Sequence, residues 1–188
     1  MVIDTALKEW SVAVDAIAQG NQIILLRKGG IQEDRGRFRA KSDRAILFPT
    51  FEHQKPELLK PDYQDSVTPV ASGWHPEEIT FKAWAEITHI FLTTEADKVH
   101  ALGDFHIWQP QLAADRLKWK PKQPLYVLAL RAYRLANPVE VDWNVELYGG
   151  CRSWVSLNQP IEVDMERPAV NTGDYSTRIE QIEGIINS

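Results

Sequence analysis

Apolar residues recur along this chain with two different spacings, and their order predicts its elements. Leu7, Trp10, Val14 and Ile17 fall three or four apart, the mark of a helix, with Asp4 placed to cap its start and Gly20 to end it. QIILLRKGG (22–30) is a β-branched, apolar run closed by two glycines, which predicts a short buried strand. RAILFP (44–49) predicts another, ended by Pro49. Residues 55–78 are rich in Pro, Asp and Ser and predict a long connection or insertion. EITFKAWAEITHIFLTT (78–94) alternates over enough length for a long, bent strand. EADKVHAL and PQLAADRLKW predict two short helices, and PLYVLALRAYRL (124–135) is the clearest strand pattern. PVEV and SWVSLNQPIEV predict two shorter strands. Thr177 and Glu180 have capping-box spacing ahead of Ile179, Ile182 and Ile186, which predicts a C-terminal helix.

About six or seven strands result, with helices at the start, middle and end. They do not alternate regularly with long helices, which argues against a doubly wound parallel sheet. The expected class is α+β: a mostly antiparallel, partly closed β-barrel decorated with helices. Residues 1–170 are expected to form one domain, with 55–78 as its loop or insertion, and 171–188 to be a helix packed on it or a tail.

Charge changes the picture at one place. The chain of 188 residues has a formal net charge of −5, which argues against a generic duplex-coating protein. Yet DRGRFRAKSDR (34–44) sets Arg35, Arg37, Arg39 and Lys41 at alternate positions, one face of a strand. Side chains two apart on a strand are about 6.5–7 Å apart, close to the spacing of successive phosphates on an extended single strand. Guanidinium groups bind phosphate through paired donors. The competing reading is an edge strand blunted by charge against aggregation.

The single cysteine, Cys151, forbids an intramolecular disulfide. With no apolar run long enough for a bilayer and no secretory leader, this points to the cytoplasm. The five histidines are scattered, so no metal or other cofactor is expected.

Three blocks carry a family resemblance: LLRKGGI, LFPTFEHQ and YGGCRSWV. Together they resemble a bacterial domain family of unknown function, over roughly the first 165 residues. That resemblance implies no established activity, but it implies a context, because family members occur joined to restriction-endonuclease-like domains. A second, more distant resemblance is to PUA-like barrels, in particular the ASCH group, whose strand motif runs Gly-x-Lys-x-x-Glu-x-Arg. Gly20 and Arg27 stand at its Gly and Arg positions, whereas Gln22 and Leu25 stand where ASCH nucleoside hydrolases carry Lys and Glu. The resemblance therefore implies the barrel without its hydrolytic pair.

The candidate site follows from these blocks. Arg27, Lys28 and the comb are candidate phosphate contacts, and Gly29 and Gly30 allow close backbone approach, although a plain hairpin turn is the favoured reading of the two glycines by themselves. Phe51, Glu52, His53 and Gln54 combine aromatic faces with polar edges, as base-binding pockets do. Arg152 and Trp154, beside Gly149 and Gly150, add a phosphate contact and a stacking wall. Catalysis would draw on Cys151 as a nucleophile with His53, or on Glu52, but no cysteine-hydrolase signature surrounds Cys151. The reading favoured is a non-catalytic module binding RNA or single-stranded DNA, with recognition of a modified base. A nucleotide or modified-nucleoside hydrolase is one alternative. The other is a protein-interaction module of a defence or restriction-type system, with a nuclease-like partner.

Overall fold

Nine residues at the start decide the architecture, because Val2–Trp10 form a strand and not the first turns of a helix. Ala6 packs into one core cluster and Leu7 into another on the opposite sheet face. A strand buried on both faces loses its alternation, so helical spacing in its apolar residues is accidental. The computed structural model describes residues 1–29, 31–34, 37–119, 121 and 123–188, with the backbone alone for 31–34 and 37–39.

In chain order the elements are β1 (Val2–Trp10), α1 (Ser11–Ala18), β2 (Ile24–Arg27), β3 (Ile31–Asp34), β4 (Arg37–Ala40) and β5 (Arg44–Thr50). Then come α2 (Pro61–Gln64), β6 (Glu78–Thr93), α3 (Ala96–Ala101), α4 (Pro110–Lys118), β7 (Leu125–Asp142), α5 (Val145–Tyr148), β8 (Trp154–Glu162) and α6 (Thr172–Asn187). Six strands form one mixed sheet in the order β2-β7-β6-β5-β1-β8, while β3 and β4 pair with each other as a separate hairpin. The class is α+β, but the expected barrel does not close: β2 and β8 are the sheet's two edges. One pairing, β1 with β5, is parallel and the remainder are antiparallel. A side chain links the two edges: Arg27 at the end of β2 donates to Ser153 Oγ just before β8 (3.2 Å).

The long strands carry irregularities where the sequence places difficult residues. β7 is one strand of 18 residues that absorbs PVEV, expected as a separate strand. Pro138 is tolerated because the β6–β7 ladder slips there, between Phe81 and Ala83. Helix α1 lies across the sheet, with Val14 and Ile17 against Leu25, Leu47 and Leu128. It ends at Gly20, whose φ of +80° suits glycine, and a Cβ there would lie 2.6 Å from Ala169 O. Helix α6 starts before the expected capping box: Asn171 accepts from Asp174 N (2.9 Å), and Thr177 lies inside the helix. Tyr175, Ile179 and Ile182 bury its apolar face against Ile23, Leu26 and Val127. The segment 55–78 is packed as well, with Leu59 and Val67 buried beside Ile107 and Trp108. No helix among the described residues is long and apolar enough to cross a membrane.

One buried titratable group sets a pH limit on this fold. His106 is 3% exposed, its Nδ1 accepts from Trp108 N (3.1 Å), and its Nε2 has no partner among the described residues. Burial first, and then the Lys60 ammonium, push its pKa down from 6.5 to about 4. The unfolded chain takes up this proton near pH 6.5, while the folded chain resists it down to about pH 4. Stability is therefore fully present above pH 6.5 and lost as pH falls towards 4, by about 3 kcal/mol. Urea titrations from pH 7 to 4 are expected to show this slope, and His106→Gln should flatten it.

Candidate functional site

The parallel pair β1–β5 brings two strand ends together, and a cleft of about 540 Å³ opens there. Its walls come from the ends of β1, β2 and β5, the loop 72–76, and the stretch from Trp143 to Ser153. That volume lies within the roughly 300–1,000 Å³ usual for small-molecule sites.

The charged side of the cleft is built on β1 and β2. Glu9 and Arg27 form a buried ion pair, 2.9 Å from Arg27 Nη2 to Glu9 Oε2, with side chains 7% and 12% exposed. Arg27 Nη2 also donates to Lys8 O (2.6 Å), and Trp10 N donates to Glu9 Oε1 (3.0 Å). Behind the pair, Arg116 of α4 donates to Leu26 O (2.6 Å). Its pKa is lowered, first by burial and despite the attraction of Glu9. Lys8 Nζ lies 5.4 Å above the Phe48 ring and donates to Tyr148 O and Gly150 O. Burial, and then the Arg152 charge, hold its pKa below the usual lysine range.

The aromatic side is assembled from separate loops. Trp74, 45% exposed, meets Phe51 edge-on at 5.8 Å between ring centroids. Trp143 stacks on His75 at 4.4 Å and approaches Phe48 and Tyr148 at 6.4 and 6.1 Å. Backbone contacts hold these loops in register. The Glu52 carboxylate accepts from Gly73 N, beside a positive φ of +82°. His53 has φ +61°, the only non-glycine left-handed residue among those described. Histidine tolerates this region better than most residues, but the conformation is uncommon and belongs to the tight turn at the cleft rim.

The sequence-derived candidates separate accordingly. Arg27, Phe51, Glu52, His53, Gly149, Gly150, Cys151 and Arg152 all line the cleft. Gln54 is instead a helix cap: its Oε1 accepts from Ser11 Oγ (3.3 Å) and Val12 N (3.2 Å) at the bare start of α1. Trp154 stands opposite Leu7 in the β1–β8 ladder and packs with the core cluster there, so Trp74 and Trp143 supply the walls expected of it. Lys28 is 4% exposed and donates to Gln123 O, away from the cleft. Gly29 is exposed, while Gly30 and Arg35 lie outside the described residues. The comb is not one strand. Arg37 and Arg39 belong to β4, opposite Asp34 and Gln32 of β3; their side chains also lie outside the described residues. Lys41 follows β4 and is exposed.

Gln22 and Leu25, at the two positions of the hydrolytic pair, are 1% and 0% exposed and line no part of the cleft. Gln22 is consumed by backbone, donating to Ile24 O (2.9 Å) and accepting from Ile107 N (3.3 Å). No hydrogen bond joins Cys151 to His53 among the described residues. No cluster of three or more His, Cys, Asp or Glu among them is arranged for a metal. Sequence reasoning missed Lys8, Glu9, Trp74 and Trp143. The signal for the first two was a Lys-Glu pair inside an apolar run.

The site is thus an aromatic cleft that holds an internally neutralised ion pair and two further cations. Residues 6–181 match the family described as "Domain of unknown function (DUF1802)", and the chain belongs to it. The match reaches into α6, beyond the three sequence blocks. No curated protein matches the chain. Among solved structures it is similar to a point mutant of ZmASCH from Zymomonas mobilis, 12% identical over 82% of this chain and 88% of that one, with a TM-score of 0.47. It is also similar to ASCH from Zymomonas mobilis, 11% identical over 94% of this chain and 92% of that one, with a TM-score of 0.45.

Proposed function

We propose that this protein is a non-catalytic nucleic-acid-binding module whose cleft receives one unstacked base of a single strand, a modified base included. The observation that carries this reading is the pairing of aromatic faces, Phe51 and Trp74 at the mouth and Trp143 within, with the polar edges of Glu52 and His53. Aromatic rings stack on a base of any identity, and carboxylate and imidazole edges select among bases by hydrogen bonding. Binding is favoured over hydrolysis because Gln22 and Leu25 occupy core positions and Cys151 has no hydrogen-bonded base among the described residues.

The β3–β4 hairpin supplies the second half of the reading. It begins four residues after Arg27, which lines the cleft, and this short link supports the reading. Arg37 and Arg39 would position phosphates there while the cleft reads the base.

Fluorescence anisotropy with labelled single-stranded RNA, single-stranded DNA and duplex DNA over a salt series tests this. Wild type is expected to prefer a single strand and to weaken as salt rises. Arg37→Glu/Arg39→Glu should lose affinity and flatten the salt slope by about two phosphate contacts. Absence of binding to every probe at low salt would sink the proposal and leave a protein-docking surface as the reading of the hairpin.

A further inference from the structure

Lys8 and Arg152 are unusual within this cleft because neither has a carboxylate within ion-pair distance among the described residues. Lys8 is only 9% exposed, and the nearby Arg152 charge opposes its own. A buried cation without a counter-ion, next to a second cation, is unfavourable in the empty protein. Arg27 presents no such problem, since Glu9 neutralises it; the Glu52 carboxylate, which accepts from Gly73 N, favours the Lys8 charge, but by less than Arg152 opposes it.

The bonds that hold these two cations leave donors over. Lys8 gives two N–H groups to Tyr148 O and Gly150 O, and an ammonium has three. Arg152 donates to Glu146 O, Leu147 O and Gly149 O through Nε and Nη2, while its Nη1 donates to nothing among the described residues. Ser153 Oγ accepts from Arg27 and keeps its own hydrogen to give. All three side chains line the same cleft. The carbonyls at and just after the end of α5 thus act as a jig that holds two positive charges through neutral acceptors. Gly149 is essential to it, because a Cβ there would stand 2.4 Å from Val145 O.

We propose that Lys8, Arg152 and Ser153 form a phosphate subsite, so that the ligand is a nucleotide carrying its own phosphate and not a bare base. The proposal rests on the base-binding reading above and adds to it the charge the ligand must bring. A phosphate oxygen set accepts several charge-assisted hydrogen bonds at once, which matches the spare donors of two cations and a hydroxyl lining one cleft better than any neutral ligand. A free nucleoside monophosphate and the phosphorylated end of a strand share this chemistry.

Isothermal titration calorimetry on the full chain separates the possibilities. The probes are adenosine, guanosine, cytidine and uridine, their 5′- and 3′-monophosphates, and short single strands with and without a terminal phosphate. At least one phosphorylated probe is expected to bind about tenfold or more tightly than its unphosphorylated counterpart, and Arg152→Gln should abolish that ratio. Arg152 is exposed, so this variant remains foldable where Lys8→Met risks the core, and circular dichroism verifies it. A gain confined to strands assigns the phosphate to a strand end, and a gain shared by monophosphates assigns it to free nucleotides. Unphosphorylated probes binding as tightly as phosphorylated ones would overturn the subsite and leave the base-binding cleft standing. No binding by any probe would overturn both.

Discussion

Replacing Glu9 by alanine is expected to destabilise the protein by about 3–5 kcal/mol, the largest single effect foreseen outside the apolar core. The substitution leaves the Arg27 guanidinium 12% exposed with no counter-ion, and Arg116 lies behind it with a like charge. Arg27 keeps its bonds to Lys8 O and Ser153 Oγ, which limit the loss without removing it. Trp10 N also loses its acceptor at the junction of β1 and α1. Chemical denaturation with urea reads the result directly. The double variant Glu9→Leu/Arg27→Met should recover most of the stability, because a pair replaced by apolar groups of similar volume leaves no unpaired charge. A loss below about 1 kcal/mol for Glu9→Ala, the range of exposed pairs, would show that water reaches the pair and that the cleft floor is open.

Much of this architecture was legible in the chain, and the exceptions have identifiable causes. The strands at 44–50 and 78–93 and the helices α3 and α4 follow their local patterns closely. β1 did not, because burial on both faces erased its alternation, and Leu7 with Trp10 happened to continue the spacing of Val14 and Ile17. The separation of PVEV from the strand before it came from Pro138, which a ladder slip accommodates. Barrel closure failed because nothing in a single strand's pattern reports which strand pairs with its outer edge.

The candidate site was legible in two of its blocks. FEHQ and YGGC lie far apart in sequence, and β1, paired with β5 on one side and β8 on the other, brings them to one cleft. Within FEHQ, composition did not distinguish Glu52, which braces the loop carrying Trp74, from Gln54, which caps α1. Both are polar residues beside an aromatic one, and only the third dimension assigns their partners. Trp74 and Trp143 were hidden among seven tryptophans of which others, such as Trp84 and Trp108, are wholly core.

The second large effect concerns Trp74. Its ring is 45% exposed and braced edge-on by Phe51, so its removal costs the fold little. Its removal from a stacking site should cost the complex about 1–3 kcal/mol, roughly tenfold or more in affinity. Stacking is insensitive to salt, whereas phosphate contacts are not. Trp74→Ala should therefore lower affinity at every salt concentration and keep the slope of the wild type. Arg37→Glu/Arg39→Glu is expected to change that slope, so the two variants report on different halves of the interface.

The most direct measurement is a salt series of single-strand binding by fluorescence anisotropy, wild type beside Trp74→Ala. A parallel displacement of about tenfold at all salt concentrations is the result expected if a base stacks in the cleft. Unchanged affinity in Trp74→Ala, with wild type still binding, would place the nucleic acid elsewhere and contradict the assignment of the cleft.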